Sequence, residues 1–314
     1  MRTEYLDYLL EAARCESISK AAKKLFIGQT TLSAIINSVE TELNMKLFQR
    51  SHRGIKLTPQ GTQAMMLIEK IANTNRMLLD LNSTEAHQSK VLHLILYPAA
   101  CCSLSLPLTE RMWGRAPGVS LCIHETPYYK TVQQVVSGTA KIALGSDSSQ
   151  VVFSRQCEAE EHHLRYEPLY EDCFCLAVRR DSPYAQRPWV DASELLEERL
   201  AASHFYPLNA GSPMAQALRR FRHITVFTSV DIIEKAVLRY GMISIVPRLF
   251  FYQDPAVERG DIRMIPLAGF PIELTNYLIC DERAGLDPPE AALLQEIRDL
   301  FQQLPPAPIP PVTE

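Results

Sequence analysis

Two periodicities meet near residue 90, and no single core satisfies both. Before it the apolar residues recur at helical spacing. Leu6, Leu9, Leu10 and Ala13 share one helix face, and Leu32, Ile36, Val39 and Leu43 lie within about 40° of one another on a second. After it, short β-branched runs alternate with helical stretches: Val91–Leu96, Val119–His124, Lys141–Gly145, Cys173–Val178, Ile224–Phe227, Ile243–Val246, Ile262–Ile265 and Leu274–Cys280. Such alternation builds sheets flanked by helices. Over 314 residues the chain therefore divides into an all-α, winged N-terminal unit and an α/β remainder.

The N-terminal unit reads as three short helices and a two-stranded turn. Ser19 is placed to cap a second helix through Ala21, Ala22 and Leu25, and Gly28 separates it from a third, Gln29 to Leu43. Opposite its apolar stripe this third helix carries Thr30, Ser33, Ala34, Asn37 and Thr41. Small polar side chains let a helix lie deep against base edges, which is the signature of a helix-turn-helix. Residues 48–57 read as two strands joined by a basic tip with Gly54 at the turn, a wing. Thr58-Pro59 then supplies a cap and a proline at the first helical position. In the helix that follows, Ala64, Leu67, Ile71, Thr74, Leu78 and Leu81 repeat at alternating spacings of three and four, so Ala64, Leu67, Ile71, Leu78 and Leu81 are read as a dimerisation seam.

Charge is distributed unevenly. Residues 1–61 hold nine basic and six acidic side chains, a balance of +3, so the rest carries −7 within a net −4. Only the N-terminal unit is suited to a polyanion. The eight cysteines lack C-x-x-C spacing, and the apolar runs fall short of the roughly 20 residues needed to span a bilayer. No cleavable apolar leader opens the chain, so reduced thiols and a cytoplasmic location, at the bacterial nucleoid, are expected. Nucleophile-elbow, P-loop, dinucleotide-binding and H-E-x-x-H motifs are all absent, which speaks against an enzyme. No cofactor or metal is expected: Cys157, His162 and His163 flank an acidic run and read as a solvated connector. Residues 305–314 are proline-rich and read as an extended, poorly ordered tail.

Taken together, Ser17-Ile18-Ser19-Lys20-Ala21-Ala22-Lys23-Lys24-Leu25 into Gln29, Leu32-Ser33, Ile36 to Glu40, Leu47-Phe48-Gln49-Arg50 and Leu57-Thr58-Pro59-Gln60-Gly61 resemble the LysR-type transcriptional regulators. Weaker likeness extends through Leu106-Pro107, Ala116-Pro117-Gly118-Val119 and Tyr240 to Pro247. The resemblance implies a winged helix-turn-helix (1–61), a linker helix (58–87) and two α/β subdomains resembling a periplasmic binding protein. The first subdomain would hold 90–162 and 269–304, with the second, 163–268, inserted. It also implies a homodimer or homotetramer on a palindromic double-stranded operator, a small-molecule effector, no membrane, and RNA polymerase as a further partner for an activator.

On these grounds Gln29, Thr30, Thr31, Ser33 and Asn37 are groove candidates, and Arg50, His52 and Arg53 wing residues, the arginines as phosphate anchors. An internal ion pair is the alternative for Arg50. Ile35 is read as flanking core. The turn after Val91–Leu96, namely Ala99, Ala100, Cys101, Cys102 and Ser103, offers backbone donors to an effector. By the resemblance it faces Ser146 and Asp147 on one side and Ser203, His204, Phe205 and Thr228 on the other. A thiol-based redox regulator on the same scaffold is the competing reading, although residues 199–210, where the peroxide-sensing relatives carry their thiols, contain no cysteine here. Cys173 and Cys175 share a strand face and read as core. An enzyme or a solute-binding protein is a remote alternative.

Overall fold

A computed structural model describes residues 2–51, 54–81, 90–204, 213–270, 272–283 and 285–307; at 51, 76–81 and 213 only the backbone is considered. The chain divides into two compact units, Met1–Gln88 with Gln133–Thr139, and Ser89–Val132 with Ala140–Glu314. No helix among the described residues is long and apolar enough to cross a membrane.

In the first unit, helices α1 (Glu4–Cys15), α2 (Ile18–Lys24) and α3 (Gln29–Glu42) precede strands β1 (Phe48–Ser51) and β2 (Gly54–Leu57) and helix α4 (Pro59–Leu81). Leu6, Leu9, Leu32, Ile36, Val39 and Leu47 are fully buried together, each contributing about 1.5–3 kcal/mol by leaving water. The cap of α2 is Ser17, whose hydroxyl accepts the Lys20 N–H, and not Ser19. Its far end closes with Phe26 N–H on Lys23 O and Ile27 N–H on Ala22 O, a Schellman arrangement that places Phe26 at φ 54°, where glycine is usual. Gly54 sits at φ +128°, and a Cβ there would stand 2.3 Å from the Glu16 carbonyl oxygen, which accepts the adjacent Ile55 N–H. Thr58 caps α4 by accepting the Gly61 N–H at 2.8 Å. Met65, Ile68 and Ala72 of α4 seal this core, whereas Leu67 and Ile71 of the heptad seam stay exposed in the single chain.

The second unit opens with β3 (Lys90–Leu96), α5 (Pro98–Arg115) and β4 (Val119–Glu125); after α6 (Thr131–Val136), most of which groups with the first unit, come β5 (Ile142–Ser148) and α7 (Ser149–Glu161). Then come β6 (Arg165–Arg179), β7 (Val190–Asp191), β8 (Arg199–Ser203), α8 (Pro213–Leu218), β9 (His223–Phe227), α9 (Val230–Tyr240), β10 (Ser244–Pro247) and α10 (Pro255–Glu258). The chain closes with β11 (Ile262–Ala268), β12 (Glu273–Cys280) and α11 (Pro288–Gln303). The main sheet runs β4-β3-β5-β12-β6-β11-β7, with β10 also on β6, and β8 pairs β9 separately. Strand β6 is shared: Arg165–Cys173 pairs with β12, and the remainder pairs with β10 and β11. The lobes are thus joined through one continuous strand, and the crossing falls near Cys173, beyond the boundary at 163 read from the sequence. One core runs from the first lobe's strands through α5 and α11 to α9, Val246 and Leu249–Phe251, and another lies around Phe174, Leu176, Ile245 and Ile265 in the second lobe. The start of the proline-rich tail is held: Arg248 Nη1 donates to the carbonyls of Pro305 and Pro306 at 2.9 and 2.7 Å, and Tyr170 OH donates to Pro305.

Candidate nucleic-acid interface and effector cleft

Along α3, Gln29, Thr30, Thr31 and Asn37 are exposed and Ser33 is half-buried, while Ile35 lies in the core. Arg50, on β1, turns back across this face: its guanidinium donates to Ser33 Oγ at 3.1 Å and Asn37 Oδ1 at 3.2 Å. The ion pair considered for Arg50 is therefore replaced by neutral hydrogen bonds that tie wing to recognition helix, and two groove candidates are positioned by it. His52 and Arg53 lie outside the described residues.

Two further residues, at the two ends of α3, bear on this region: Glu40 and Phe26. Glu40, 5% exposed, accepts the N–H groups of Leu47 and Phe48 on one oxygen, at 2.9 and 3.0 Å, and Lys46 Nζ on the other at 2.6 Å. Burial works to raise its pKa, but Lys46 and the two N–H groups outweigh burial and hold it below the ordinary glutamate value. Phe26 stands 96% exposed in the turn just before α3. Its left-handed backbone, which costs a residue with a side chain about 1–2 kcal/mol, is the one the helix-terminating hydrogen bonds of α2 require.

In the second unit the expected turn at 99–103 is helix. Pro98 occupies the first helical position, where its missing N–H is not needed, and Cys101 N–H already bonds Tyr97 O. Ala99 and Ala100 face the core at 0% exposure, and the buried Ser103 spends its hydroxyl on Ala99 O. Ala99 and Ala100 therefore line no cleft between the lobes, and Ser103 reaches only the groove that runs along α5. Asp147 is likewise engaged, accepting Arg155 Nε at 3.1 Å and Tyr277 OH at 2.7 Å; it braces β5 against α7 and β12. Burial raises its pKa against the pull of Arg155 and Tyr277. Ser203 is buried at the end of β8, and His204 donates its N–H to Phe227 O. Phe205 lies outside the described residues, as do the side chains of Leu78 and Leu81.

Of the remaining candidates, Cys101, Cys102 and Thr228 do converge. Cys101, Cys102 and Glu125 of the first lobe meet Thr228, Ser229, Val230 and Asp231 of the second around a cavity of about 320 Å³. A wider groove of about 690 Å³ continues along α5, where Glu110, Asp231, Glu234 and Asp254 share the lining with Ser103 and Trp113. Ser146 stands opposite Asn276 in the β5–β12 register, and Tyr97 OH donates to Asn276 Oδ1. Ser146 Oγ is buried with no partner among the described residues, a state costing about 1–3 kcal/mol. Desolvation by the surrounding protein, with Glu125 adding to it, pushes the Cys101 thiol up to about 11. Cys102 reaches solvent, yet the crowding around it, Cys101 and the carboxylates of Glu125, Asp231 and Asp254 carry it to about 12. Neither is a ready thiolate. Cys173 and Cys175 place their sulfurs 4.0 Å apart on β6, Cys175 being buried.

A winged helix-turn-helix joined in sequence to a two-lobed α/β unit with a cavity between its lobes defines the class: a DNA-binding transcriptional regulator with an effector-binding unit. Residues 3–62 match the bacterial regulatory helix-turn-helix of the lysR family and residues 85–302 match the LysR substrate binding domain, so the chain belongs to the LysR family. The HTH-type transcriptional regulator CitR of Bacillus subtilis is 24% identical over 66% of this chain and 68% of its own length. A hydrogen peroxide-inducible genes activator of Dickeya chrysanthemi is 28% identical over 64% of this chain and 63% of its own; the chain thus matches about two thirds of these relatives. Among solved structures, full-length OxyR from Pseudomonas aeruginosa (20% identical, TM-score 0.55, covering 95% of this chain and 98% of that one) shares the fold. So does full-length CbnR complexed with its target DNA (15%, TM-score 0.57, covering 95% and 99%).

Proposed function

We propose that this regulator binds a two-fold symmetric operator as a homodimer, assembled further into a tetramer, and is switched by a small molecule held between the lobes at Cys101, Cys102, Glu125, Thr228 and Asp231. The observation that carries the switch is the two-lobed lining of the cavity: a ligand touching both lobes has different contacts when they open or close, the condition for shifting a conformational equilibrium. Glu125 and Asp231 form an acidic rim with no Lys or Arg among the lining residues, which favours a neutral or cationic effector over an anion. On DNA, Gln29, Thr30, Thr31, Ser33 and Asn37 face the groove while Arg50 and the wing tip anchor phosphates. Pairing through the exposed Leu67 and Ile71 sets the spacing of two recognition helices. An activator of this kind works at the nucleoid with RNA polymerase, and no catalytic step is assigned to it.

The peroxide-responsive reading has the Dickeya relative behind it, but the raised thiols of Cys101 and Cys102 oppose it. The test is an operator-driven reporter carrying Thr228→Trp, an exposed position on the cavity, with candidate neutral and cationic metabolites added and free thiols titrated in parallel. Loss of induction with intact basal operator binding is expected. Undiminished induction removes the cavity from its role, and induction that follows thiol loss favours the redox reading.

A further inference from the structure

Strands β3 and β4 run parallel, with His93 opposite Cys122 and Ile95 opposite His124, so the side chains of His93, Cys122 and His124 leave one face of the sheet. Nδ1 of His93 lies 2.8 Å from Nε2 of His124, and the two rings stack at 5.1 Å and 20°. Cys122 Sγ completes a set whose three ligand atoms all lie within 4.8 Å of one another; His93 is exposed and the other two are half-buried, so an ion can enter. This is the one such three-ligand group among the described residues.

We propose that His93, Cys122 and His124 bind one Zn2+ ion, with its fourth position open to solvent. The donor set decides the ion. Two imidazoles and a thiol, with no carboxylate, suit a borderline-soft transition metal and are foreign to Mg2+ or Ca2+. Tetrahedral Zn2+ with bonds of about 2.0–2.1 Å to nitrogen and about 2.3 Å to sulfur needs donors roughly 3.4–3.6 Å apart. The ring nitrogens must part by about half an ångström, which rotation of strand side chains supplies. The protons balance simply. Between the two facing nitrogens one proton is shared in the free protein, and on loading it moves to the far nitrogen of its own ring. Cys122 releases its thiol proton to water, so one proton leaves per ion bound. β3 leads through Tyr97 into the helix that carries Cys101, and Glu125 follows His124 directly, so the ion would clamp the strand pair that delivers both residues to the cavity.

Chelator-stripped full-length protein titrated with ZnCl2 under equilibrium dialysis is expected to take up an equivalent at this site. CoCl2 should produce a thiolate-to-cobalt charge-transfer band that Cys122→Ser abolishes. Cys122→Ser and His124→Gln should each weaken Zn2+ binding by about tenfold or more, and a Cys157→Ser/His162→Gln variant should bind as the parent does. Because a strand variant can misfold, the unaltered protein supplies a second reading: Zn2+ should slow iodoacetamide labelling of Cys122, followed by peptide mass spectrometry. Equal labelling with and without Zn2+, or Zn2+ and Co2+ binding indifferent to Cys122→Ser, overturns the site.

Discussion

Glu40 allows one perturbation to be worked through from its atoms. Its Oε1 accepts both the Leu47 and Phe48 N–H groups, whose residues are 0% and 6% exposed, while Oε2 takes only Lys46, whose side chain is 75% exposed. Glu40→Ala removes the sole acceptor and strands two buried donors at about 1–3 kcal/mol each, roughly 2–6 kcal/mol in all. Glu40→Gln keeps an oxygen at the Oε1 position and gives up only a charge facing an exposed lysine, an interaction worth about 0–1 kcal/mol. The readout is amide hydrogen exchange, by mass spectrometry of peptides spanning residues 44–58 in the full-length protein, which avoids assuming two-state unfolding of a two-unit chain. Exchange at Leu47 and Phe48 should accelerate by about thirty-fold to twenty-thousand-fold in the alanine variant and by less than about ten-fold in the glutamine variant. Operator binding should weaken with it, since β1 carries Arg50 back onto the recognition helix. The lowered pKa adds a pH signature: Glu40's contribution is complete above about pH 4.5 and is lost as pH falls through its depressed folded value. Equal protection in the alanine variant and the parent would refute the reasoning.

Other consequences are equally concrete. Leu67→Lys places a charge in an exposed apolar seam and should yield monomers in sedimentation and lose tight binding to a full operator; a dimer that survives dissociates α4 from that role. Arg50→Ala should lower the salt slope of DNA binding by about one and also change base preference, because Ser33 and Asn37 lose their partner; an unchanged preference in a binding-site selection would leave Arg50 a phosphate anchor alone. Asp172, buried where β6 crosses between lobes, is raised by desolvation to about 6 despite the N–H groups of Cys173 and Leu249. Its folded value exceeds the unfolded one, so its burial penalty, up to about 3 kcal/mol, is complete above pH 6 and fades as pH falls towards 3.8. Calorimetry of Asp172→Asn should show the difference from the parent changing across that window; parallel pH profiles would contradict it.

What could be read from residues alone was local and periodic. The stripe Leu32, Ile36, Val39 needs only 3.6 residues per turn, the wing needs a hairpin length and Gly54, and the charge asymmetry needs only counting, so the DNA-binding unit was legible nearly entire. Proline at the first helical position is readable at Pro59, and Pro98 starts α5 by the same rule, but the small residues after it carry no helical apolar stripe that distinguishes helix from turn. The first half of β6 was hidden for another reason. Arg165, Glu167 and Glu171 interrupt its apolar pattern, and the backbone ladder with β12, distant in sequence, makes it a strand, with ion pairs to Glu282 and Arg298 and a hydrogen bond from Thr275 added to that pairing. Tertiary structure alone decides which side chains meet. Strand pairing sets His93 beside a Cys122 that lies 29 residues away, and lobe packing sets Cys101 beside Thr228; neither neighbour is encoded in any local pattern, because register and docking are settled by burial summed over whole elements.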